Sequence, residues 1–154
     1  MKPIIFLSVV CIMVFSNSCI QAQNTINENG VEIMIKDFYT KYSNIWENTP
    51  ISVPANVLHE KLDSLAQKYC TKKIRNEAKA WFVNGQDLFT NDYGMDIESL
   101  KTLIITKDTS KVNCYIVCFT TTNSDASGKP VKQNVVLHVS VMKEKEEYKI
   151  NDVK

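Results

Sequence analysis

The spacing of apolar residues changes once along this chain, near residue 100. Upstream, Val31, Met34, Ile35, Phe38, Tyr42, Ile45 and Trp46 recur every three to four residues, with Glu32, Lys36, Lys41 and Glu47 off that face. This spacing predicts an amphipathic helix of about four turns that ends before Pro50. The segment 49–56 (TPISVPAN) reads as a loop. A second helix opens at Ala55 or Asn56 and turns Val57, Leu58, Leu62, Leu65, Ala66 and Tyr69 inward. Thr71 can cap a third helix over 72–82, with Ile74, Ala78, Trp81 and Phe82 on its buried side. Asp87, Asp92 and Asp96, with Gly85 and Gly94, then mark an ordered loop over 83–100 with room for one helical turn.

Downstream the period becomes two. Strands are predicted over 100–107, 111–122, 131–143 and 147–153, joined as an antiparallel meander. Val112, Cys114, Ile116 and Cys118 share one face of the second strand; Val135, Leu137, Val139 and Val141 share one face of the third. Aligned, these would form a dry surface. The opposite face would then join Tyr115, Val117 and Phe119 to Val136, His138, Ser140 and Met142, an amphipathic wall suited to a pocket. A slip of one residue would exchange the two assignments. Three helices followed by four strands give an α+β order, with the helices covering the sheet.

The first 22 residues change the picture of compartment. Lys2 and the apolar run 4–15 (IIFLSVVCIMVF) form the n- and h-regions of a secretory signal, too short to span a bilayer. Two junctions fit. Ser18-Cys19 resembles a lipoprotein site with Cys19 as the lipidated residue, although Ser16 stands where leucine is usual; Ile20-Gln21-Ala22 resembles an ordinary signal-peptidase site. Either places the protein outside the cytoplasm, in the periplasm or on the outer membrane. Residues 23–30 read as a flexible tether and 31–154 as one domain.

Charge excludes one class of partner. The 154 residues carry 18 Lys and Arg against 17 Asp and Glu, a net charge of +1 with no basic stripe, so nucleic acid is not an expected partner. Membrane contact is expected only through a lipid on Cys19. Of five cysteines, Cys70, Cys114 and Cys118 fall within the domain. Cys114 and Cys118 lie ~13 Å apart along one strand and cannot pair. Export permits a bridge from Cys70 to either, but small buried thiols are the favoured reading.

The helix IKDFYTKYSN, the segment KYCTKKIRNEAKAW and the run QDLFTNDYGMDIESLKTLIIT resemble the family of exported bacterial proteins called domain of unknown function 3828. Phe38, Tyr39 and Tyr42 match its first helix, Tyr69 and Thr71 its middle helix, and Asp87, Phe89, Asp92 and Tyr93 its aspartate-rich signature. The resemblance implies a nuclear-transport-factor-2-like cone, in which helices pack on a curved four-stranded antiparallel sheet around a cavity. It implies no activity.

No HExxH, GxSxG, GxGxxG or Walker motif occurs, and no cofactor or metal is expected. Asp87, Asp92 and Asp96 lack EF-hand spacing and read as turn-stabilising groups. His59 reads as a surface residue. The expected function is a non-enzymatic envelope domain that binds a small apolar or amphipathic ligand or a protein partner. Phe38, Tyr42, Trp46, Tyr115, Phe119 and His138 would bound the cavity. The rival is an isomerase- or hydratase-like enzyme using His138 with a carboxylate such as Asp92. A dyad of His138 with Cys114 or Cys118 is not expected, because the favoured register puts them on opposite faces.

Overall fold

The computed structural model describes the backbone of residues 15–92 and 94–154, and the side chains of 30–92 and 94–154. Most of the signal-like segment and the side chain of Cys19 thus lie outside the described residues. The chain divides into two units, Met1–Val31 and Glu32–Lys154. Of the first, the backbone is helical from Phe15, and the first helix, α1 (Phe15–Glu47), runs through residues 23–30, where the sequence suggested a tether. Among the described residues no helix is long and apolar enough to cross a membrane.

The second unit follows the expected α+β order. α2 (Ala55–Tyr69), α3 (Lys72–Val83) and a short α4 (Ile97–Lys101) precede β1 (Ile104–Lys107), β2 (Cys114–Ser124), β3 (Pro130–Glu144) and β4 (Glu147–Val153). The four strands form one open antiparallel sheet in the order β1-β2-β3-β4, and the helices and sheet make a cone-like arrangement. α4 supplies the helical turn allowed in the loop and takes Leu100 and Lys101, which were expected to open the first strand. Asp96 caps it, accepting the Ser99 N–H at 2.7 Å, which satisfies a backbone donor that a strand would have used otherwise. Thr71 precedes α3 as expected, but its hydroxyl makes no cap; it donates to Asn151 Oδ1 at 3.2 Å.

The core forms where the helices meet one face of the sheet. Ile35, Phe38, Tyr39 and Tyr42 of α1 are at most 2% exposed. The Phe38 ring lies 5.9 Å from Tyr69 of α2 and 5.0 Å from Phe89, and Tyr39 lies 6.4 Å from Phe119 of β2. Burying each such aromatic contributes roughly 1.5–3 kcal/mol. A backbone bond from Thr71 N–H to Ile150 O, 2.8 Å, ties the α2–α3 junction to β4. Val57 and Leu58, and likewise Ala78, Trp81 and Phe82, are only partly covered, so α2 and α3 bury narrower stripes than their sequences suggested.

Register is where the sequence reading fails. Tyr115, Val117 and Phe119 pair with Val139, Leu137 and Val135, and this face points to the helices. Cys114, Ile116 and Cys118 pair with Ser140, His138 and Val136 on the outer face. The expected alignment is therefore off by one residue. The connector decides it: Asp125 Oδ1 accepts from the N–H groups of Ser127 (2.8 Å) and Lys129 (2.9 Å), closing a turn that pairs Ser124 with Pro130. Gly128, at φ 79°, supplies the left-handed position in that turn.

The strands differ in length. β1 pairs only with Tyr115–Cys118 of β2, and β4 with Val139–Glu144 of β3. The far half of the β2–β3 hairpin is a two-stranded ribbon.

Candidate functional site

The six residues expected to bound one cavity do not meet around a hollow. Phe38, Tyr42, Tyr115 and Phe119 are at most 3% exposed. They are packed in the core. His138 points to the other side of the sheet, paired with Ile116. Of the six, Trp46 lines a recess large enough for a small molecule, of about 260 Å³, with Met95, Thr121 and Asn123.

The loop from Asp87 to Asp96 shapes this hollow, and Asp87 is its anchor. Asp87 is buried; one carboxylate oxygen accepts from the Phe89 N–H at 2.8 Å and the other from the Tyr42 hydroxyl. Its own N–H donates to Asp92 O at 3.0 Å, closing the loop on itself. Tyr39 adds a bond from its hydroxyl to Phe89 O, 2.9 Å. Burial pushes the Asp87 carboxyl up to about 6, against the lowering effect of the Tyr42 and Phe89 donors. Burial likewise raises the Tyr42 hydroxyl. Because both carboxylate oxygens are engaged, Asp87 acts as a structural bracket and not as a base open to a substrate.

Beyond that bracket the chain passes close to Trp46. A Cβ on Gly94 would fall 2.6 Å from two atoms of the Trp46 ring, and the residue sits at φ 123°; only glycine lets this backbone approach the indole. Met95 is buried beside it. Asp92 accepts from Asn123 Nδ2 at 3.1 Å, joining the loop to the inner face of β2. The aspartates thus hold turns and caps, as their spacing suggested. The hollow combines Trp46 and Met95 with a rim of acceptors on Glu47, Asp92 and Asp96. A polar recess of about 240 Å³, lined by Asn91, Gln133 and Asn134, shares Asp92 and Asn123 with it.

A cleft between α2 and α3 is much smaller, about 30 Å³, room for a water or two. Volume decides between hollow and cleft: small-molecule sites usually hold ~300–1,000 Å³, which the Trp46 hollow approaches and the cleft does not. The cleft is a packing seam. Arg75 clamps Asp63 across it with two 2.7 Å bonds, which hold the Asp63 carboxyl down to about 2. His59 was expected at the surface; instead it is partly buried and stacks on Phe82 with centroids 4.9 Å apart.

The geometry also separates the pair proposed for the rival enzyme. Asp92 meets Asn123 on the helix-facing side, whereas His138 lies opposite Ile116 on the outer side. Asn123 lies seven residues along β2 from Ile116, ~23 Å. The carboxylate near His138 is Asp108. Cys114, moreover, shares the outer face with His138, contrary to the expectation that facing keeps them apart. Met95, Thr121 and Asn123 were missed by sequence reasoning. The available signal was the polar run 120–123 at the end of an otherwise apolar strand, beside an aspartate- and glycine-rich loop.

No protein-family model matches the chain, and no curated protein matches it significantly. Among solved structures it is similar to a protein of unknown function from Bacteroides thetaiotaomicron, whose crystal structure was determined at 2.10 Å resolution. The two share 22% identity with a TM-score of 0.72, and the match covers 89% of this chain and 98% of that one. This likeness establishes the α+β fold alone.

Proposed function

We propose that this protein is a non-enzymatic binding domain of the cell envelope that holds a small amphipathic molecule in the Trp46 hollow. One observation carries the reading: a recess of about 260 Å³ with Trp46 and Met95 on its walls and the carboxylates of Glu47, Asp92 and Asp96 beside them. Trp46 and Met95 favour an apolar portion. The carboxylates favour hydroxyl or ammonium donors on the same molecule. The signal-like first 22 residues support export, with Cys19 or Ala22 at the junction. The Phe38–Tyr42 helix and the aspartate loop support membership of the exported domain-of-unknown-function 3828 family.

Native mass spectrometry of protein purified from its own host tests the site. The wild type should carry a retained small molecule, and Asn123→Trp, which fills the hollow from β2, should lose it while keeping its circular dichroism spectrum. An empty wild type, or a ligand held equally well by the folded variant, would reject the site.

A further inference from the structure

The outer face of the sheet carries a cluster unrelated to the Trp46 hollow. Asp108 follows β1, Cys114 opens β2, and His138 lies on β3. One ligand atom from each lies within 4.8 Å of the other two. Backbone geometry sets this up. The Asp108 N–H donates to Cys114 O at 2.9 Å, bringing the two ends of the β1–β2 connection together. Asn113, in the left-handed region at φ 54°, turns the chain into β2, and its carbonyl accepts the Val141 N–H of β3 at 2.9 Å.

The side chains are arranged as an incomplete shell. Asp108 Oδ1 is taken by Ser110, accepting from its N–H at 2.9 Å and its hydroxyl at 2.5 Å. Oδ2 faces His138 Nδ1 at 3.5 Å. That nitrogen is closed off from solvent and has no hydrogen-bond partner. Its approach to Oδ2 is too long for a normal hydrogen bond, and a cation between the two would satisfy both atoms. Asp108 and Cys114 are buried, while the His138 side chain is 43% exposed, so water reaches the cluster from one side.

We propose that Asp108, Cys114 and His138 form a site for a zinc-class divalent transition metal, with water in the fourth position. Thiolate, imidazole and carboxylate together suit Zn²⁺ and do not suit Mg²⁺ or Ca²⁺, which take oxygen shells. Bonds of ~2.0–2.3 Å in a tetrahedron place ligand atoms ~3.5 Å apart, the separation already present between Asp108 and His138. On binding, Cys114 releases its thiol proton to solvent and the S–H bond is replaced by a metal–sulfur bond. The thiolate and the Asp108 carboxylate then balance the metal's two positive charges. His138 Nδ1 or Nε2 supplies the neutral donor, with the Ser110 bonds to Asp108 holding that carboxylate in place. No redox change is involved. The ion would also pin the β1–β2 connection to β3.

Titration of the reduced, metal-free protein with Co²⁺ tests the site, followed by competition with Zn²⁺. The wild type should take one equivalent with tetrahedral visible bands and a thiolate-to-cobalt charge-transfer band, and Zn²⁺ should displace it. Cys114→Ser should lose the charge-transfer band, and His138→Gln, at a half-exposed position that tolerates change, should weaken binding by more than ~10-fold. Cys118→Ser, on the same face beside Val136, should bind as the wild type does. The proposal is overturned by a wild type with no stoichiometric band, by a band that persists in Cys114→Ser, or by unchanged affinity in folded His138→Gln.

Discussion

Asp87 carries opposite demands in one side chain. Burial disfavours its charge, yet Tyr42 and Phe89 donate to it, and burial wins, leaving its pKa at about 6 against an ordinary 3.8. The folded state therefore holds this proton more tightly than the unfolded chain does. Its contribution to stability is full below about pH 4 and declines as pH rises through about 6. Asp87→Asn removes the titration while keeping a polar side chain in the bracket. Relative to wild type, the variant should gain on the order of 1–3 kcal/mol between about pH 4 and pH 7.5, measured by urea unfolding at both. An unchanged difference between the two conditions would mean that Asp87 keeps an ordinary carboxyl pKa in the fold. The structural use of the aspartates was legible in the sequence, since their spacing suits turns and caps and fails for calcium. The partner of Asp87 was not: nothing in the local pattern places a tyrosine 45 residues upstream against it.

The elements were readable to different depths. α2 and α3 follow from apolar spacing bounded by Pro54 and Thr71, and the sheet from its period of two. Register was not legible, because both faces of β2 and β3 carry apolar residues and alternation alone cannot choose between them. The five-residue connector from Asp125 to Lys129 chose, through backbone turn geometry that hydrophobic pattern does not encode. Neighbouring valines on β3 report the outcome. Val135 is 7% exposed opposite Phe119, and Val136 is 55% exposed opposite Cys118. Val136→Lys should change stability by less than ~0.5 kcal/mol, whereas Val135→Lys should unfold the domain or cost ~3 kcal/mol or more. Thermal unfolding of the two would expose a reversed register at once, since their ranking would invert.

At the scale of the whole molecule, the sequence placed helices over a four-stranded sheet but did not tell full from hollow. The rings of Phe38, Tyr42 and Phe89 lie 5.0–5.8 Å from one another and fill the space where a cavity was expected. Amphipathic faces look the same whether they surround a ligand or each other. The open volume lies instead beside Trp46, where Gly94 and the aspartate loop determine the wall.

The uneven lengths of the strands leave their own mark on how the molecule breathes. Between Tyr115 and Cys118, β2 has neighbours on both sides; past Cys118, β1 no longer accompanies it. Beyond Asn123, the last residue of β2 to touch the aspartate loop, local opening need not disturb the helices, so amides from Ser124 to Lys132 should exchange with deuterium well before those of Tyr115 to Val117. Uniform protection along the hairpin, followed by mass spectrometry of peptic fragments, would mean that the protruding tip is braced by something other than its own ladder.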